Sequence, residues 1–99
     1  DNATMIEASW NGAVIARSDD TVVVENNHYF PMDAVNSACL QRNPHQTVCG
    51  WKGTAHYFDV VADGQLNPNA AWCYPEPLAA AEAIRNRVAF WNGVRVSAS

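Results

Sequence analysis

Lys52 is the only lysine in the chain and sits in the run Cys49-Gly50-Trp51-Lys52-Gly53-Thr54-Ala55-His56-Tyr57. Two chemistries fit that setting. An ammonium three residues from a thiol, across a glycine-flanked turn, lowers the thiol pKa, making Cys49 a nucleophile and Lys52 the stabiliser of its thiolate. A lysine in a run flanked by Gly50 and Gly53 also suits an anion, because the flanking glycine backbone carries no side chains to block approach. The plain alternative is that Cys49 ends a strand in the core while Lys52 points into water. His28, ahead of Tyr29 and Phe30, is either a proton donor and acceptor near neutral pH or a partly buried structural histidine. Trp51, Tyr57, Trp72 and Tyr74 form the walls of an aromatic ligand pocket or fill the core of a small β domain. Asn67, Asn69 and Asp59 add polar groups to such a pocket or serve turns.

Other chemistries fit less well. Cys39, Cys49 and Cys73 are odd in number and far apart. They form neither a disulfide framework nor paired C-x-x-C zinc elements, so no metal and no cofactor are expected. A zinc site from the three cysteines and a histidine is the alternative. Separate thiols suit a reducing, cytoplasmic compartment, each acting as a small buried hydrophobe. His45, in an Asn-Pro loop, is expected to be solvated. Strand alternation turns His56 away from Tyr57. With 6 basic against 10 acidic residues, a net charge of −4, the chain lacks a basic nucleic-acid footprint or a polybasic membrane patch. No apolar run nears the ~20 residues of a membrane span, and no signal-peptide pattern opens the chain.

The elements that must position these residues are marked by turns. The 99 residues suffice for one core, read as a single domain over 8–99 after an N-terminal extension, 1–7, that is unstructured or added to the natural chain. Asn11-Gly12 predicts a type I′ hairpin between strands at Ala8–Trp10 and Ala13–Ser18. Thr21–Glu25 and His28–Phe30 follow around Asn26-Asn27, completing a four-stranded meander. A short helix is predicted over Pro31–Leu40 and a loop over Gln41–Gln46. Strands follow at Thr47–Cys49, Thr54–Ala62, Gln65–Asn67 and Ala71–Tyr74. A second helix, within Pro77–Asn86, has prolines at its start and Leu78, Ala81 and Ile84 on one face. Val88–Trp91, Asn92-Gly93 and Val94–Ser97 predict a closing hairpin. The fold class is mainly β, with two short α-helices.

Four stretches together carry a family resemblance: Trp10-Asn11-Gly12 with Val14-Ile15-Ala16; Asn27-His28-Tyr29-Phe30-Pro31; Cys49-Gly50-Trp51-Lys52-Gly53-Thr54-Ala55-His56-Tyr57; and Trp72-Cys73-Tyr74-Pro75 leading to Val88-Ala89-Phe90-Trp91-Asn92. In this order the chain resembles the bacterial domain-of-unknown-function family 427, with Gly50 where that family's motif carries proline. The resemblance implies a β-tent-like pair of antiparallel sheets. It also brings a nucleotidyltransferase label, although the sequence has no Gly-rich phosphate loop and no carboxylate pair at metal-ligand spacing.

Three function classes follow. The first is a small thiol-dependent enzyme with Cys49, Lys52 and His28 or Tyr57 as its catalytic residues. The second is a module binding a small anionic or aromatic molecule at Lys52, walled by Trp51, Tyr57, Trp72 and Tyr74. The third is a domain that dimerises through exposed aromatics. Without a readable chain of nucleophile, base and orienting group, ligand binding is the preferred reading. The expected partner is a small molecule, and the expected state a monomer or homodimer.

Overall fold

The computed structural model describes residues 4–99, and the chain is mainly β. The strands are β1 (Ile6–Trp10), β2 (Ala13–Ser18), β3 (Val22–Val24), β4 (Asn27–Pro31), β5 (Leu40–Cys49), β6 (Gly53–Ala62), β7 (Gln65–Cys73), β8 (Arg87–Phe90) and β9 (Arg95–Ala98). They form two antiparallel sheets, a three-stranded one in the order β2-β1-β9 and a six-stranded one in the order β3-β4-β8-β7-β6-β5. No helix of the described residues is long and apolar enough to cross a membrane. The N-terminal extension falls partly on residues 1–3, outside the described residues, and β1 begins at Ile6.

Asn11 and Gly12 take φ of 51° and 80°, the left-handed pair a type I′ turn requires, and β1 pairs with β2 across them. The β3–β4 turn lies one residue earlier than its Asn-Asn signal: Glu25 and Asn26 hold φ of 52° and 66°. A glutamate in that region is uncommon, and its position matters below.

Several expectations need correction. The four-stranded meander is two separate hairpins, because β2 and β3 belong to different sheets. The closing hairpin does not form either: β8 pairs with β7 and β4, while β9 crosses to pair with β1. Asn92-Gly93 is thus a corner between sheets. Gln41–Gln46 is not a loop but part of the ten-residue β5, whose register shifts between Arg42 and Gln46. Pro44 fits there because β5 is an edge strand and the bulge needs no N–H from it. β7 likewise runs through Pro68-Asn69, with Asn69 at φ 57°.

The two short α-helices are 3-10 turns instead. Pro31–Leu40 holds two, Met32–Ala34 and Ser37–Cys39, interrupted where extended Val35 bridges Ala16 of β2. Asn36 caps the second by accepting from the Ala38 amide at 3.1 Å. Ala79–Ile84 is a 3-10 segment kinked at Ala81. Each is far below the ~12 residues at which an isolated helix sustains itself, so tertiary contacts decide its geometry.

The core between the sheets is apolar. Ile15, Phe30, Val60 and Val88 are fully buried there, and Phe30 meets Phe90 edge-on at 5.6 Å. Each such side chain contributes roughly 1.5–3 kcal/mol relative to exposure. Cys39 and Cys73 are free thiols buried in this layer, small hydrophobes as read.

Candidate functional site

The six-stranded sheet has a second, outer face, which carries the aromatic residues singled out in the sequence. Alternation sends Phe58, Val60, Ala71, Cys73, Val88 and Phe90 inward. It sends Ala55, Tyr57, Trp72, Tyr74 and Ala89 outward, into a second cluster with Tyr29, Ala81 and Ile84. Tyr57 is paired with Trp72, and Trp72 with Ala89, so one row crosses three strands. The small Ala89 lets the Trp72 indole reach over it and donate from Nε1 to the Tyr29 hydroxyl at 3.1 Å. Tyr57 continues the row at 6.3 Å from Trp72, and the His45 ring lies 4.7 Å beyond it. His45 is therefore in ring contact rather than simply solvated. Trp91 stands perpendicular to Trp72 at 6.0 Å and is half exposed.

Lys52 lies on this face. The loop Gly50–Lys52 joins β5 to β6 where Cys49 is paired with Gly53. Gly53 takes φ 110°, and a Cβ there would stand 3.4 Å from the Glu76 carbonyl oxygen and the Leu78 amide nitrogen. Its missing side chain thus seats the Glu76–Leu78 backbone, whose Leu78 amide donates to the Lys52 carbonyl at 3.0 Å. That segment, not a ligand, takes the space the glycine leaves.

Lys52 is only 8% exposed. Its Nζ lies 5.6 Å from the Trp51 ring centroid and 5.7 Å from that of Tyr74, and it donates to Oε1 of Glu25. It does not point into water. Four hollows of about 300–390 Å³ lie elsewhere on the surface, and Lys52 lines none of them. The Lys52 stem packs against the Trp51 and Tyr74 rings, and the Glu25 carboxylate lies at its ammonium.

The electrostatics are those of a covered ion pair. Burial works to lower the Lys52 pKa, but the Glu25 carboxylate and the phenol oxygens of Tyr29 and Tyr74 outweigh it, and the ammonium is held above the ordinary lysine value. Glu25 is held below the ordinary carboxylate value, chiefly by its hydrogen bond to Lys52. Burial raises Tyr29 and Tyr74 despite the nearby ammonium. Both phenols therefore stay protonated at neutral pH.

Of the sequence-predicted site residues, the fold gathers Lys52, Trp51, Tyr57, Trp72 and Tyr74 on one face. His28 is not among them: it points opposite to Tyr29 along β4 and contacts Thr21 at 2.8 Å through Nδ1. Cys49 is half-buried at the end of β5, and no side-chain hydrogen bond or ion pair of the described residues involves it. His56 faces away from Tyr57, as alternation required, and lines a hollow with Gln46 and Glu76. Asp59 and Asn69 join Asn43 in a polar knot at the end of the aromatic row, with Asn43 donating at 2.7 Å to each. Asn67 instead ties down the corner at Asn92, whose carbonyl accepts at 2.8 Å. Among the described residues, no three or more His, Cys, Asp or Glu side chains cluster as metal ligands would.

Sequence reasoning missed Glu25. It closes a valine-rich strand before two asparagines and reads as a solvated strand end. The left-handed turn that aims it across the sheet is legible only from the backbone.

A two-sheet, mainly β domain, with one apolar core and an aromatic outer face around a covered lysine, is the class these features define. The chain belongs to the family described as Domain of unknown function (DUF427), whose description matches residues 1–99. A search of curated proteins finds no match to the chain.

Proposed function

We propose that this domain binds a small anionic or aromatic molecule on its outer sheet face, with Lys52 as the anion partner and Trp51, Tyr57, Trp72 and Tyr74 as walls. One observation carries the reading. The Lys52 ammonium is buried against two aromatic rings, yet its one carboxylate partner among the described residues, Glu25, is a side chain 53% exposed at the tip of a two-residue turn. An anion position therefore exists on the face, and a removable group fills it. Low surrounding dielectric strengthens the contact with any anion placed there. A ligand carboxylate or phosphate takes the place of the Glu25 carboxylate, and Glu25 swings into water at little cost.

The competing readings are a thiol-dependent enzyme using Cys49, which ends β5 two residues after Thr47, the partner of the Tyr57 hydroxyl, and a nucleotidyltransferase-type activity; no observation favours either over ligand binding. Benzoate, which joins a carboxylate to a ring, is a suitable probe. Titrated into the labelled chain, it is expected to shift the indole N–H signals of Trp51 and Trp72 saturably, and Lys52→Met to abolish the shift. A saturable shift that persists in folded Lys52→Met removes Lys52 from the site and contradicts the proposal.

A further inference from the structure

We propose a second ligand site on the opposite side of the six-stranded sheet, one that takes a short-chain monocarboxylate. A hollow of about 300 Å³ opens where the β5–β6 ribbon runs past the segment holding the 3-10 turns, lined by Met32, Val35, Ser37, Leu40, Arg42 and Phe58. Four of these walls are apolar. Val35 belongs to the inner core, and Leu40 and Phe58 pack against it, so the floor of the hollow is the exposed end of that core. Water in such a place gains few hydrogen bonds, and an apolar chain displaces it favourably.

The polar groups of the rim select what enters. Arg42 is paired with Phe58 across β5 and β6, so its guanidinium stands at the mouth of the apolar wall. Among the described residues Arg42 and Arg95 have no ion-pair partner, whereas Arg17, Lys52, Arg85 and Arg87 are each matched with a carboxylate. No carboxylate lines the hollow, and the Ser37 hydroxyl adds one hydrogen-bonding group beside the arginine. A planar guanidinium matches a carboxylate with two parallel hydrogen bonds. An apolar bowl with one unpaired arginine and one hydroxyl at its rim therefore fits a single anionic head on a hydrocarbon tail. The volume lies at the lower end of ligand pockets, ~300–1,000 Å³, and restricts the tail to a short one. The net charge of −4 disfavours anions generally, so local complementarity must supply the preference.

This site is independent of Lys52, and the experiment separates them. The labelled full-length chain is titrated with octanoate, octanol and octyltrimethylammonium, following the amide signals of Leu40 and Phe58. Octanoate is expected to shift them saturably, with the other two at least tenfold weaker. Arg42→Gln, an exposed position whose loss leaves the fold intact, weakens octanoate by about tenfold or more, as a lost charge-assisted pair does. Ser37→Phe fills the bowl and abolishes binding, while Lys52→Met leaves it unchanged. The proposal is overturned by non-saturable shifts, by equal binding of octanol, by an unaltered affinity in Arg42→Gln, or by loss of octanoate binding in Lys52→Met.

Discussion

The two faces of the six-stranded sheet are built from the same strands by alternation, yet they bury different chemistry. The inner face meets a second sheet and is mainly apolar, with two thiols and with Asn67, paired with Val60, as a buried polar side chain that donates to the Asn92 carbonyl. The outer face has no second sheet. A kinked 3-10 segment, one lysine stem and one turn cover part of it, and its cluster holds two buried phenols and half-buried Tyr57 and Trp72. A sheet-covered layer keeps water from most of its side chains, so a polar group is tolerated there only where it finds a partner, as Asn67 does. A layer covered by side chains keeps its polar ends near water and can pair them, which is why Lys52, Tyr29 and Tyr74 are tolerated outside and absent inside.

That contrast breaks most sharply at Phe30. Phe30→Ala opens the inner core at a position with no exposure, and a loss of about 3–5 kcal/mol is expected. Thermal denaturation would read this as a fall of roughly 15 °C or more, or as failure to fold. Lys52→Ala tests the outer layer. Loss of two cation–π contacts and of the packed stem is expected to cost about 2 kcal/mol, with Lys52→Met recovering the share due to the stem. A water-facing lysine would show no change in either variant.

The outer face also carries a pH dependence. Lys52, Tyr29 and Tyr74 have raised folded-state values, so their contribution is full below about pH 10 and is lost as pH rises through those values. Glu25 is lowered, so its contribution is present above its ordinary 4.5 and is lost as pH falls through its folded value. Melting curves from about pH 3 to 11 should therefore show stability falling at both ends of the range. Tyr74→Phe should flatten the alkaline limb. The smallest effect is expected at half-exposed Trp91: Trp91→Ala should cost about 0.5–1 kcal/mol, mostly its 2.6 Å hydrogen bond to the Asn69 carbonyl.

Turn chemistry made much of this fold legible. Asn11-Gly12 and Asp63-Gly64 sit at φ values of the type their residues favour, and the strands beside them follow. Sheet membership was not legible: turn residues define a reversal but not which sheet receives the next strand, so β3 and β9 were misassigned. The alanine-rich segment before Ile84 carried a helical pattern, but Pro75 to Leu78 dock on Gly53 and leave it too little length. At the candidate site, alternation within β6 and β7 placed Tyr57, Trp72 and Tyr74 together. It was silent on Glu25, whose contact with Lys52 spans 27 positions.

The claim that Glu25 occupies an anion position over Lys52 is tested most directly by the affinity of Glu25→Gln for benzoate. The substitution removes the competing carboxylate and leaves the lysine and its aromatic walls in place. Benzoate should then bind the variant about tenfold more tightly than the unaltered chain, a difference of about 1.4 kcal/mol. Equal or weaker binding by a folded Glu25→Gln would show that the Glu25–Lys52 pair is structural and that no ligand takes its place.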